Sequence, residues 1–301
     1  MSERNIVATF VINSHGRLQE WIAEEKGYFE AAGLTDYRLE AHGLLTPNTP
    51  KLATDTAVAD NQFGAYQTYE QGREASVSCA CHWTVNMAAS AQHGRLWGEC
   101  YTVSPCAIVV AHDSEIKHPE DLAGVEIQVG YQSGSHYATI QALEPYMDSS
   151  EINLNFGGNP SNRVDQLLDG VVPAATLFGP QLYLVEQLGY RKIVDNTFMM
   201  TSMVPEGVEM ERVQCYFEAL RMAQADIDLA HQDHVHHYLK ELPERHAALV
   251  DVQRFGPGER LVFEPYSEAI YQATRDWVEA RGIFDPDTAK VGYTEAVARL
   301  T

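Results

Sequence analysis

Basic residues are scarce in this 301-residue chain: 21 lysines and arginines stand against 42 aspartates and glutamates, for a formal net charge of −21. So acidic a surface argues against nucleic acid and anionic membrane as partners, because both are held by basic patches that release counterions. An anionic ligand would have to meet a locally positive site. Cysteine is sparse too. Cys79, Cys81, Cys100, Cys106 and Cys215 are an odd number and too few for a disulfide framework, which fits a reducing compartment. No apolar run approaches the roughly 18 residues of a membrane span, and MSERNIVATF lacks the basic region and apolar segment of a secretory signal. The expected location is the cytoplasm, or the periplasm or exterior if a leader has been removed. No glycine-rich phosphate loop, acidic metal cluster or ordered triad is visible, so neither cofactor nor metal is expected.

What is present is material for a large core. With 45% hydrophobic and 21% charged residues, the chain should be globular and divide into two lobes. Strand-like runs at 5–12, 37–41, 57–60, 75–81, 106–111 and 125–130 alternate with helical patterns. The first helix shows Leu18, Trp21, Ile22 and Phe29 on one face, a helical segment follows Gln62, and another helix runs over 137–146. After Met203 the pattern changes to amphipathic helices over 209–230, 234–242 and 265–281. Alternation of this kind predicts an α/β fold with mainly parallel sheets flanked by helices. Ligands of such sheets bind beyond the carboxyl ends of the strands, where helix N-termini offer free N–H groups. Asn13-Ser14-His15 and Gln132-Ser133-Gly134-Ser135-His136 both occupy that position, so a cleft between the lobes is expected.

The run Ala23-Glu-Glu-Lys-Gly-Tyr-Phe-Glu-Ala-Ala-Gly-Leu34 resembles the first-helix signature of type 2 periplasmic-binding proteins of the sulfonate, nitrate and thiamine-precursor branch. The resemblance continues through Val109 to Gly130, Arg163 to Gly170 and Phe178-Gly-Pro180 to Gly189-Tyr-Arg191, and so covers about two thirds of the chain. Pro173 departs from it, standing where the family usually has an Asp. The resemblance implies a first lobe from residues 1–103 and 204–301, a second from 104–203, and closure on a ligand by hinge motion. The family holds importer components and cytoplasmic enzymes, among them aryl desulfinase, dihydroxyphthalate decarboxylase and thiamine pyrimidine synthase. By spacing from Gly27, Ser14 falls where the desulfinase carries its cysteine.

Each candidate side chain has two readings. Ser14 is a nucleophile only if a base takes its proton; the commoner role is a cap on the first helix. His15, His42 and His82 at strand ends are candidate acids or bases, with a hydrogen-bonded structural histidine as the commoner case. Phe63 and Tyr66, beside Gln62, could flank an aromatic ring or simply belong to the core. Trp83 beside His82 and Phe178 at a strand end are further contacts. Arg17 and Arg163 are the candidate cations, Arg17 equally well an exposed arginine in the first turn of its helix. Cys79-Ala-Cys81 reads as buried strand, not as a metal motif. His231-Gln-Asp-His-Val-His-His237 reads as a solvated helix start, with adventitious metal binding second.

The combined expectation is a cytoplasmic lyase or hydrolase on a solute-binding fold. It would act on a small anionic aromatic or heterocyclic molecule through Ser14, His15, His42 and His82. Asn13, Arg17, Gln62, Phe63, Tyr66, Trp83, Gln132, Ser133, Gly134, Ser135, His136, Arg163 and Phe178 would bind that molecule. The alternative is the solute-binding component of an importer for a small organic anion. The partner is a small molecule, with no nucleic acid and no membrane span, and a homodimer is allowed.

Overall fold

A computed structural model describes residues 8–41, 65–70 and 72–300. Strand β1 (Phe10–Ser14) buries alternate residues, as a half-covered strand should. It leads through a turn into helix α1 (Gln19–Glu25), and Gly27, at φ 67°, then separates α1 from the short α2 (Tyr28–Ala31). The helix expected to continue as far as Phe29 is therefore broken, because only glycine enters the left-handed region at little cost. Strand β2 (Tyr37–Ala41) lies parallel to β1. Helix α3 (Ala65–Glu70) follows, then β3 (Ser78–Cys81), α4 (His82–Ser90), β4 (Arg95–Trp97) and the long β5 (Tyr101–Val110). The strand expected over 57–60 lies outside the described residues.

A second set of alternating elements comes next: β6 (Glu126–Val129), α5 (Gly134–Leu143), β7 (Asn153–Phe156), α6 (Pro160–Leu168), β8 (Ala174–Phe178) and α7 (Gly179–Gln187). Asn159 caps α6 by accepting from the amide of Asn162, with Pro160 at the first helical position. Strand β6 lies parallel between β7 and β8. The 14-residue β9 (Arg191–Val204) returns antiparallel to β5 from Arg191 to Met200, then pairs with β3 and β4. Strand β5 in turn pairs with β8 at its C-terminal end. The parallel pairs β1–β2, β6–β7 and β6–β8 lie in the strand-turn-helix units, whereas β5 and β9 pair antiparallel with each other and with β3, β4 and β8, so the larger sheet is mixed and not mainly parallel as expected.

Helix α8 (Met210–Ala230) packs on α1 and α2, and its buried face, including Val213, Tyr216 and Leu220, joins Phe10, Ile12, Ile22 and Phe29 in one cluster. Where the sequence predicts an amphipathic helix over 234–242, the chain makes 3-10 turns at His231–Asp233 and Val235–Lys240. Pro243 disfavours helical backbone at the residue before it, which limits any α-helix there. The chain ends with α9 (Glu244–Ala247), β10 (Arg260–Val262), which pairs with the start of β5, then α10 (Glu268–Glu279), α11 (Tyr293–Ala296) and β11 (Val297–Ala298). The result is a two-lobed α/β fold. Among the described residues no helix is long and apolar enough to cross a membrane.

Candidate functional site

The β1–α1 turn holds Ser14, His15 and Arg17. Ser14 is fully buried, and its hydroxyl donates to a carboxylate oxygen of Glu241 and, at 3.3 Å, faces the Glu40 carbonyl. The same Glu241 oxygen accepts the Trp21 indole N–H at 2.6 Å. Burial raises the pKa of Glu241, and the Ser14 and Trp21 hydrogen bonds oppose that rise. Helix α1 begins instead at Leu18, with no side-chain cap. The capping role expected of Ser14 is therefore corrected: a buried carboxyl group needs donors, and the hydroxyl serves Glu241.

Arg17 is likewise neither an exposed arginine nor in the first turn of a helix. Its Nε lies 2.9 Å from both carboxylate oxygens of Glu20, its Nη1 2.8 Å from Glu259, and its Nη2 3.2 Å from the Tyr216 hydroxyl. Burial works against its charge, but Glu20 and Glu259 outweigh that effect and hold its pKa well above the usual value. The charge of Arg17 is thus committed within the protein. His15, whose side chain is 16% exposed, places Nδ1 4.0 Å from Glu259. Asn13 has a buried Oδ1 without a hydrogen-bond partner among the described residues. One guanidinium amid Glu20, Glu241 and Glu259 does not make the positive anion pocket expected at this turn. His42, Gln62 and Phe63 lie outside the described residues.

His82 opens α4, where its Nδ1 lies 3.2 Å from both the Tyr266 hydroxyl and the Thr274 Oγ1. Burial pushes its pKa down to about 3, so the ring is neutral at physiological pH and unsuited to act as a general acid there. Trp83 is buried against Tyr137, Phe198 and Trp277, with ring centroids 5.3 to 6.3 Å away. Tyr66, on α3, packs edge-on against Phe284 at 4.7 Å, as a core aromatic does.

The second turn runs from β6 into α5. Ser133 Oγ donates to the Gly130 carbonyl at 2.7 Å, and Ser135 Oγ accepts the Gly130 amide at 2.9 Å. Gln132, at φ 42°, offers its amide to His136 Nδ1 at 3.2 Å. His136 is buried, and desolvation pushes its pKa down to about 4. Directly behind this loop sits Arg163: a Cβ added at Gly130 would lie 3.1 Å from its Nη1. Arg163 is 1% exposed. Its Nε donates to the Thr176 carbonyl at 3.2 Å and its Nη1 to the Gly158 carbonyl at 2.6 Å. Nη2 has no partner among the described residues, and no carboxylate there pairs with the guanidinium. Burial pulls its pKa down to about 10, which leaves it charged at neutral pH. The ring of Phe178, at the end of β8, lies 5.9 Å away.

Each turn touches elements from elsewhere in the chain. Thr84 Oγ1, in α4, donates to the Gln132 carbonyl at 2.7 Å. A Cβ at Gly134 would lie 2.5 Å from the Phe198 ring and 3.3 Å from Cys81, and one at Gly16 would lie 3.7 Å from Pro180. All five cysteines are free, four of them buried, and burial raises Cys81 to about 11 and Cys100 and Cys106 to about 12. None of these three is a thiolate near neutral pH.

No protein-family profile and no curated protein matches this sequence. Solved structures do. The alkanesulfonate-binding protein SsuA from Xanthomonas axonopodis pv. citri, bound to MOPS, matches with a TM-score of 0.71 at 17% identity over 98% of this chain and 99% of its own. The periplasmic aliphatic sulphonate binding protein SsuA from Escherichia coli gives 0.66 at 15% identity, covering 97% of this chain and 92% of its own. The desulfurization enzyme DszB gives 0.55 at 17% identity, covering 94% and 95%. This chain has the periplasmic-binding-protein fold.

Within a periplasmic-binding-protein fold, sequence reasoning missed Glu20, Glu241 and Glu259. Glu241 and Glu259 meet Ser14 and Arg17 across 227 and 242 residues, so no local pattern announces them. A hint does exist for Glu20, which stands three residues after Arg17, the spacing of an ion pair on one helical turn.

Proposed function

We propose that this protein captures a small organic anion between its two lobes, with the anionic group held at the second turn by Arg163 and the N-terminal end of α5. The observation that carries this reading is the buried Arg163, which no described carboxylate neutralises. A charge removed from water is costly unless it is compensated, and a bound anion supplies the compensation. Helix α5 adds the positive end of its dipole at the same loop. Relatives of this fold described as sulfonate-binding proteins support an oxyanion of the sulfonate or carboxylate type.

In this reading the first lobe comprises residues 1–103 and 204–301 and the second 104–203, with β5 and β9 as the crossing strands. Ser133, Gly134, Ser135 and Phe178 line the anion end, and Asn13 and His15 face it from the first lobe. Ser14, Arg17, Tyr66 and Trp83 hold the walls. Calorimetric titration with ethanesulfonate, benzenesulfonate and benzoate tests the proposal. Saturable one-to-one binding of at least one is expected, and no binding of any would refute it.

A second reading, catalysis, is favoured by one observation: His15 is a partly exposed imidazole beside the Glu259 carboxylate, an arrangement that can move a proton. A carboxylate substrate would then break its C–C bond, releasing carbon dioxide as the ring carbon takes a proton from His15, and a sulfinate would break its C–S bond in the same way, its sulfur taking up a water to leave as sulfite. Incubating the protein with benzoate or benzenesulfinate and assaying those products distinguishes turnover from capture.

A further inference from the structure

Four of the twelve histidines fall within 231–237. Helical spacing would pair His231 with His234 and His234 with His237, but the 3-10 turns undo that pairing. They bury His234 and His237 and set His236 beside His237, with ring centroids 4.1 Å apart. Facing the two rings is Glu25, the last residue of α1. One ligand atom from each of Glu25, His236 and His237 can be chosen so that all three lie within 4.8 Å of one another. His237 Nε2 is 2.9 Å from Glu25 Oε2, and His236 Nδ1 is 3.1 Å from the Asp233 carbonyl. That carbonyl can only accept, so it fixes the proton on Nδ1 and leaves the Nε2 lone pair of His236 for another partner.

We propose that Glu25, His236 and His237 form a three-ligand site for a divalent cation of the zinc type, with water completing its shell. Zinc lies about 2.0–2.2 Å from imidazole nitrogen and carboxylate oxygen, so ligand atoms up to about 4 Å apart can share one ion. Both Glu25 and His236 are exposed, and the proposal requires their side chains to rotate until the set falls inside that limit. His237 is already fixed, its side chain only 4% exposed. Two imidazoles select zinc, nickel or copper over magnesium and calcium, which take oxygen ligands. The ion would tie the end of α1 to the turn that precedes Glu241, the residue that receives Ser14 and Trp21. It is a structural clamp, independent of the anion site.

The test is titration of zinc chloride into the full chain, untagged and stripped of metal, followed by calorimetry and thermal melting. One zinc per chain and a raised melting temperature are expected. Loss of a residue that only hydrogen-bonds a ligand weakens a metal site ~10- to 100-fold, so His236→Ala and Glu25→Gln should each weaken binding by at least about tenfold. Both positions are exposed, so both variants should fold. His231→Ala should bind as the parent does, and magnesium chloride should not bind. Absence of saturable binding, unchanged affinity in His236→Ala, or equal damage from His231→Ala, which would mean diffuse chelation by the histidine-rich turn, overturns the proposal.

Discussion

Ser14 illustrates how far single residues could be read. Its place at the end of β1 was legible, because a strand, a turn and a helix leave a local pattern; its partner was not, because Glu241 arrives from 227 residues away. The same holds for Arg17, whose surroundings depend on Glu259. Removing the Ser14 hydroxyl leaves the buried Glu241 with one donor fewer, so Ser14→Ala should lower the unfolding free energy by roughly 1–3 kcal/mol. Denaturant titration checks this, and unchanged stability would mean that the hydroxyl has no structural role. A second prediction concerns His136, whose folded pKa, about 4, lies below the ordinary histidine value near 6.5. Above pH 6.5 both folded and unfolded states are neutral there, and the native fold keeps its full stability. As pH falls from 6.5 to 4 the unfolded chain takes up the proton first, which costs about 1.4 kcal/mol per unit and about 3 kcal/mol in all. The fall in stability over that window should be visibly shallower in His136→Gln, and an identical slope would contradict the assignment.

Among elements, the strand-turn-helix units were the most legible part, since apolar periodicity and glycine or proline punctuation are local signals. Two departures have physical causes. Gly27 breaks the first helix by turning left-handed, and the histidine-rich segment forms 3-10 turns ahead of Pro243. The contact between α4 and the turn before α5 could not be read at all, because Thr84 and Gln132 come from separate units. Gly134 marks that contact. An added Cβ would meet the Phe198 ring at 2.5 Å, well inside van der Waals contact, so Gly134→Ala should destabilise by roughly 1–3 kcal/mol through overpacking. A melting temperature equal to the parent's would show that the two units are not pressed together there.

At the scale of the molecule, β5 and β9 are the two long strands that run side by side and pair with further strands, and in the proposed reading the lobes turn about them. Binding of an anionic ligand should reduce the radius of gyration in small-angle scattering, and an unchanged radius at saturation would count against closure. The net charge of −21 makes the uncompensated Arg163 the more conspicuous, and the central claim rests on it. Arg163→Met decides that claim most directly, because it separates stability from affinity. Met removes the buried charge but leaves the Thr176 and Gly158 carbonyls one donor short, so the melting temperature of the variant is measured beside its affinity. The account predicts a folded Arg163→Met protein whose calorimetric affinity for whichever of ethanesulfonate, benzenesulfonate or benzoate the parent binds is weaker by about tenfold or more, on the scale of a charged hydrogen bond. A folded variant that binds that anion as tightly as the parent would contradict it.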